Sequence, residues 1–261
     1  MVGSEFEGRI AFVSGGSRGI GRATALALAD RGADVAIHGR DVEALAAVAA
    51  EIESRGRRAA TFVADVLDEP ALRALPEAVR ERLGPVDILV NNAGIARSMP
   101  FLKTDRATWD QILGVNLTSI YVLTQAFLPE MLERGKGAVV SVASVAGKVG
   151  HAYVTAYCAS KHAVLGFTKA LALEVARKGV TVNAVCPSYV DTPMTDASVE
   201  NIVSKTGRDA DEAVETLLRQ NPQHRLVSPE EVAECVAYLA SDAARGINGQ
   251  AINLCGGATP L

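Results

Sequence analysis

Residues 10–21 read IAFVSGGSRGIG. An apolar run of strand character breaks into glycines and small polar residues with one arginine among them. It then passes into ATALALAD (23–30), a stretch of helical character. At a strand-to-helix junction the helix N-terminus presents unpaired N–H groups and a partial positive charge, a natural seat for an anion such as a pyrophosphate. Gly15 permits a tight turn, Gly19 lets the backbone approach a ligand, and Gly21 lets helix and strand pack closely. The spacing is Gly-x-x-x-Gly-x-Gly rather than the commoner Gly-x-Gly-x-x-Gly.

The same alternation runs through the chain. Strand candidates at 9–14, 34–39, 59–64, 86–91, 137–142, 180–185 and 250–254 are separated by helix-period stretches at 19–31, 41–55, 69–83, 105–133, 155–178 and 229–241. Several strand candidates are apolar at both parities, as in a parallel sheet covered on both faces. Ser228-Pro229-Glu230-Glu231 is a good helix start, and Gly32 and Gly179 are good stops. The expected fold is α/β, a single doubly wound Rossmann-type domain over 8–261 with a seven-stranded parallel sheet. The opening MVGSEFE (1–7) reads as a tail or cloning scar. Residues 193–226 carry two short helical patterns where a simple βα unit would have a loop. They read as a lid over a site, the alternative being a helical hairpin packed on the core.

With 261 residues, 49% hydrophobic and 21% charged, the composition is that of an ordinary globular protein. The net charge of −4 argues against nucleic acid or an anionic membrane as the main partner. No apolar run approaches the ~18 residues of a membrane helix. Cys158, Cys186, Cys235 and Cys255 are far apart and form no CxxC pair, so reduced thiols, no metal and a cytoplasmic location are expected.

The end of the second strand, VAIHGRD (35–41), bears on the choice of dinucleotide. Binding of NAD usually needs a carboxylate there for the ribose hydroxyls. Gly39 stands in that place and Arg40 follows. A guanidinium matches a phosphate in a bidentate fork, and Arg18 in the glycine turn faces the same region. NADP(H), its 2′-phosphate held between the two arginines, is the expected cofactor.

In YCASK (157–161), Tyr157 and Lys161 are four apart and share a helix face. A phenol titrates near pH ~10, and a neighbouring ammonium favours the phenolate, which would make Tyr157 a better acid–base group. Ser144 ends the fifth strand candidate at the same edge as the glycine turn, where its hydroxyl can bond a carbonyl oxygen. Asn116 is a poor helix-interior residue, and its amide is expected to bind a water near Lys161.

These residues resemble the short-chain dehydrogenase/reductase family from Gly8 nearly to Gly257. The resemblance rests on SGGSRGIG (14–21), DV (65–66), NNAG (91–94), Asn116, SVAS (141–144), YCASK (157–161), VNAVCP (182–187), DTPM (191–194) and the terminal GG (256–257). It implies a catalytic set Asn116, Ser144, Tyr157 and Lys161 that moves a hydride between a nicotinamide and a carbonyl or alcohol carbon. Tyr157 would be the acid in reduction and Ser144 would polarise the carbonyl. Lys161 would hold the nicotinamide ribose and lower the phenol pKa, while Asn116 anchors a water. It further implies that Gly15, Ser17, Arg18, Gly19, Ile20 and Gly21 cradle the dinucleotide, with Arg40 beside them. Asp65 and Val66 would touch adenine, Asn92, Ala93 and Gly94 would form the floor, and Pro187, Val190 and Thr192 would embrace the carboxamide. Two departures stand out: Ser14 where the family usually has Thr, and Ser188 where it usually has Gly.

Within the family the chain looks most like bacterial 3-oxoacyl reductases, including ketoreductases of aromatic polyketide synthesis. That implies a substrate on CoA or acyl carrier protein. A dehydrogenase of small, cyclic or steroid-like secondary alcohols is the other reading. A dinucleotide-binding regulator without turnover would show a broken catalytic set, and here all four members are present. Ile95, His151, Val154, Tyr189 and Met194 are the candidate substrate contacts, His151 standing at the rim. Lys205, Arg208, Arg219, His224 and Arg225 of the lid would attract the phosphate of a pantetheine arm, or else solvate its outer face. Pairing into dimers or tetramers through 105–133 and 155–178 follows from the resemblance. The faces bearing Leu113, Leu117, Val164, Phe167 and Leu171 would serve either that interface or the core.

Overall fold

Strands apolar at both parities need a covering layer on each side, and that requirement builds this molecule. The computed structural model describes residues 5–259. Its strands are β1 (Ile10–Ser14), β2 (Asp34–Gly39), β3 (Ala59–Val63), β4 (Ile88–Asn91), β5 (Gly137–Val142), β6 (Val180–Pro187) and β7 (Ala251–Leu254). All pair in parallel, in the order β3-β2-β1-β4-β5-β6-β7. Between them run α1 (Gly19–Asp30), α2 (Val42–Glu53), α3 (Glu69–Arg82), α4 (Arg106–Leu113), α5 (Ser119–Arg134), α6 (Thr155–Val175) and α9 (Pro229–Ala240). The order of a doubly wound sheet reverses between β1 and β4, and a crevice opens at their carboxyl ends.

Alternation along each strand sorts the core into two layers. Val13, Ile37, Val90, Val140 and Val185 pack with Leu28, Leu45 and Val236 of α1, α2 and α9. Phe12, Leu89, Val139 and Val182 pack with Leu72, Phe127 and Val175 of α3, α5 and α6. Side-chain caps start most of these helices. Asp41 accepts from the Ala44 N–H at 3.1 Å, and Ser228 and Glu231 form a reciprocal capping box at α9. At α1 the cap position is Arg18, which offers no side-chain acceptor, so the first N–H groups point unspent into the crevice.

The two expected lid helices are present as α7 (Pro193–Thr206) and α8 (Ala210–Leu218). Only Thr195, Ala213 and Leu217 are buried on them, so the pair does not supply a layer of the core.

Two expectations need correction. Residues 5–7 are no tail: Phe6 is fully buried among Leu28, Ala33 and their neighbours, and its N–H bonds the Arg31 carbonyl at 2.8 Å. Residues 1–4 lie outside the described residues. The second concerns the helical run Arg106–Arg134. It is long and apolar enough to cross a membrane by length and composition, and half of its most apolar stretch is buried. Ile112, Ile120, Leu123, Phe127 and Met131 spend that apolar surface on the core. Of the faces expected to serve either an interface or the core, Val164 is wholly core and Leu117, Phe167 and Leu171 pack against buried clusters, leaving Tyr121 and Leu173 as the exposed large apolar residues of α5 and α6.

Candidate active site

The glycine turn closes on neighbours too near for side chains. A Cβ at Gly21 would stand 2.1 Å from the Gly15 carbonyl oxygen, and no rotamer relieves a clash with backbone. Gly19 has φ +51°, and a Cβ there would meet Thr192 Cγ2 at 3.1 Å, so the loop after β6 folds over the turn. The floor is tied to the turn by Asn92, whose amide donates to the Ser14 and Gly15 carbonyls at 3.0 Å. Ser14 Oγ accepts from the N–H groups of Asn92 and Ala93, so serine does here what a threonine hydroxyl would do. Ser17 Oγ lies 3.7 Å from where a Gly39 Cβ would be, and Ile20 packs against the core behind it.

The adenosine end carries two arginines, each engaged with a carboxylate. Arg18 pairs with Asp41 at 2.5 Å and Arg40 with Asp65 at 3.3 Å. The expectation of two unpaired guanidiniums around a phosphate is corrected to that extent. Both are largely exposed, so each is held by a pair worth little and can turn to a doubly charged phosphate. Asp41 stands two residues beyond Gly39, but it is occupied in capping α2. Val66 is half-buried in the turn after β3.

Two of the four catalytic candidates, Asn116 and Lys161, meet at Gly94. A Cβ there would be 3.5 Å from Asn116 Oδ1 and 3.7 Å from Lys161 Nζ. Lys161 is 3% exposed, donates to the Val142 carbonyl at 2.8 Å, and lies 5.7 Å from the centre of the Tyr157 ring. Burial pushes its ammonium down to about 8. Burial also pushes the Tyr157 phenol up to about 12, against the pull of the neighbouring Ser144 hydroxyl in the other direction. The expected depression of the phenol by Lys161 is therefore absent from this structure, because the ammonium points at a backbone carbonyl and desolvation dominates. Ser144 Oγ accepts from the Ala146 N–H at 3.1 Å and lies 3.4 Å from the Pro187 carbonyl.

Asn116 occupies a π-turn (Gly114–Thr118) between α4 and α5, the kind of local widening that swings a side chain out of a helix. Its Oδ1 accepts from the Ile95 N–H at 2.8 Å, and its Nδ2 donates to the Ile95 carbonyl at 2.9 Å and to Ser160 Oγ at 3.1 Å. The amide thus clamps the chain beside Gly94, where the sequence suggested a water. Ser160, which the sequence reading passed over, donates in turn to the Tyr157 carbonyl at 2.7 Å. Its signal was available: a small hydroxyl three residues after Tyr157 and one before Lys161.

The candidate substrate contacts lie on the segments that follow β4, β5 and β6. Tyr189 is half-buried after β6, and Met194 is 42% exposed in the first turn of α7. Val154 precedes α6, half-buried. The His151 N–H meets Cys158 Sγ at 3.4 Å, while its ring Nε2 is buried without a partner. Val190 pairs with Val227 in an isolated bridge that ties the lid's two ends together. The basic rim expected on the lid is largely neutralised. Arg219 and His224 both reach Glu215, and Arg225 grips Glu231 through two 2.7 Å bonds. Among the described residues no group of His, Cys, Asp and Glu is arranged to hold a metal.

Comparison with known proteins places this geometry. A family model described as short chain dehydrogenase matches residues 9–202. A putative ketoacyl reductase of Streptomyces coelicolor is 41% identical over 253 residues, 96% of this chain and 97% of that protein. The 3-oxoacyl-[acyl-carrier-protein] reductase FabG of Thermotoga maritima is 36% identical over 251 residues, 96% of this chain and 98% of that protein. Among solved structures, a variant of actinorhodin polyketide ketoreductase with NADPH superposes with a TM-score of 0.93 at 40% identity, covering 98% of this chain and 99% of that one.

Proposed function

The chain belongs to the short-chain dehydrogenase family, and on that footing we propose that it reduces the keto group of a 3-oxoacyl thioester or polyketide chain, with Tyr157 as the proton donor. It is an NADPH-dependent carbonyl reductase. The observation that supports the assignment of residues is that Lys161 Nζ and the Asn116 clamp meet beside Gly94, with the Tyr157 ring 5.7 Å from that ammonium and Ser144 at the end of β5. Relatives named as ketoacyl reductases support the substrate class.

The residues present fit the dinucleotide. A cradle that any Cβ at Gly21 would fill, an uncapped helix start and a second strand ending in Gly39-Arg40 suit a pyrophosphate and a 2′-phosphate. Gly15, Ser17, Gly19, Ile20 and Gly21 would hold the pyrophosphate, and Arg18 and Arg40 the 2′-phosphate. NADPH, when bound, supplies the hydride. Ser144 Oγ donates to the substrate carbonyl oxygen and draws electron density from its carbon. Tyr157 passes its proton to that oxygen, and a phenol titrating near 12 is fully protonated beforehand, as an acid must be. Lys161 stays mostly charged at neutral pH, and its ammonium would hold the nicotinamide ribose of the bound dinucleotide. Asn116 and Ser160 hold the walls in register.

The test is Tyr157→Phe. NADPH affinity should stay within about twofold, while turnover of acetoacetyl thioesters falls by ~10² or more. Residual activity above a tenth of wild type removes Tyr157 from the acid role. A panel of acetoacetyl-CoA, acyl-carrier-protein thioesters, cyclic ketones and sugars ranks the substrates. We also propose a cytoplasmic enzyme that pairs through α5 and α6, where Tyr121 and Leu173 stand exposed; sedimentation of the purified chain measures the state.

A further inference from the structure

Ser188 follows Pro187 at the mouth of β6, and its hydroxyl oxygen is buried with no hydrogen-bond partner. The ladder runs one residue past the strand, since the Ser188 N–H donates to the Leu254 carbonyl at 3.0 Å. Side chains alternate along such a ladder. Ala184 and Cys186 face Val164 and Leu165 of α6, so Ser188 continues that row beyond Cys186. The Ala143 N–H donates to the Val185 carbonyl at 2.8 Å, which sets the backbone leading into Ser144 against the residue before Cys186. Pro187, between Cys186 and Ser188, presents its carbonyl 3.4 Å from Ser144 Oγ. The unpartnered hydroxyl therefore lies one step along from the Ser144–Tyr157 pair, on the face that carries them. No backbone strain forces serine or glycine at this place. Among the described residues other than glycine only Tyr153 and His224 have positive φ.

A hydroxyl desolvated without a partner is costly, and a ligand that supplies the partner is one reason to retain it. A 3-oxoacyl thioester carries two carbonyls separated by one carbon. With the keto oxygen on Ser144 and Tyr157, the thioester oxygen would be close enough to seek a second donor on the same face. We infer that Ser188 donates to this second carbonyl and so selects 1,3-dicarbonyl substrates over simple ketones. The inference rests on the proposed thioester function and makes Ser188 a specificity-determining residue.

The experiment compares kcat/KM for acetoacetyl-CoA and for cyclohexanone in wild type, Ser188→Ala and Ser188→Thr, with NADPH affinity and apo melting temperature measured alongside. Losing one hydrogen bond to a neutral carbonyl should lower the acetoacetyl-CoA to cyclohexanone ratio about three- to tenfold in Ser188→Ala, and threonine should restore it. The apo melting temperature should not fall, because the hydroxyl bonds nothing in the free protein. A ratio unchanged by Ser188→Ala overturns the inference, as does a loss of NADPH affinity that accounts for the whole effect. A wild-type enzyme that reduces cyclohexanone but no 3-oxoacyl compound overturns the thioester reading as well, and is recognised before any variant is made.

Discussion

Replacing His38 with leucine should flatten the dependence of stability on pH between 6.5 and 4.5. His38 lies on β2 with no exposed surface, its ring 6.0 Å from that of Phe12, and neither ring nitrogen has a partner. Burial pushes its imidazole from 6.5 down to about 4, only partly opposed by Asp65. The sign follows from proton counting. Above 6.5 the ring is neutral in both states and costs nothing further. As pH falls toward 4 the unfolded chain takes up a proton that the folded chain refuses, so stability is lost. Below about 4 both states are protonated and the loss levels off. At ~1.4 kcal/mol per pH unit, the full interval amounts to ~3 kcal/mol, of which ~2 kcal/mol falls between pH 6.5 and 5. The carboxylates held low by arginines, Asp34, Glu231 and Asp242, lose their contribution as pH falls from their ordinary values of 4.5 and 3.8 toward their lowered ones, beneath the pH 7 to 5 span of the measurement. Leucine matches the imidazole in volume closely enough to keep the layer around Phe12 packed. Urea titrations of both proteins at pH 7, 6 and 5 supply the measurement. Parallel loss of stability in the two, within ~0.5 kcal/mol, would show that His38 is not the group being titrated.

Gly21→Ala should abolish tight NADPH binding or folding of the turn, because its methyl would stand 2.1 Å from the Gly15 carbonyl; a dissociation constant within threefold of wild type contradicts the packing. The double change Gly39→Asp with Arg40→Ala should move preference toward NADH by about tenfold to a hundredfold in the ratio of kcat/KM values, the worth of one charge-assisted contact. A wild-type enzyme that already favours NADH would refute the reading of Arg18 and Arg40. Arg225→Ala should lower the melting temperature slightly and leave KM for a thioester unchanged, since this side chain grips Glu231; a selective rise in KM would mean that it reaches the ligand after all.

How much of this was legible beforehand can be seen residue by residue. The strands, the helices between them and the glycine turn were readable because they rest on local rules. Apolar runs bounded by breakers make buried strands, capping residues start helices, and Gly21 answers to a clash six residues away in the same turn. Tyr157 and Lys161 were readable as a pair because helical geometry alone puts positions i and i+4 on one face. What the chain's linear order left open depends on contacts between distant segments. Nothing near residue 116 predicts that its amide would clamp Ile95 and reach Ser160, because the π-turn and α6 meet only after the sheet has closed. Nor could the ends of Arg18, Arg219 and Arg225 be assigned, since long charged side chains settle on whichever carboxylate the fold brings near. The same holds for titration. Helical spacing sets Lys161 beside Tyr157, but burial and a backbone carbonyl decide that the phenol rises and the ammonium falls. Sequence determines which chemistry is carried on which element; desolvation and pairing, which set its energies, exist only once the elements are packed.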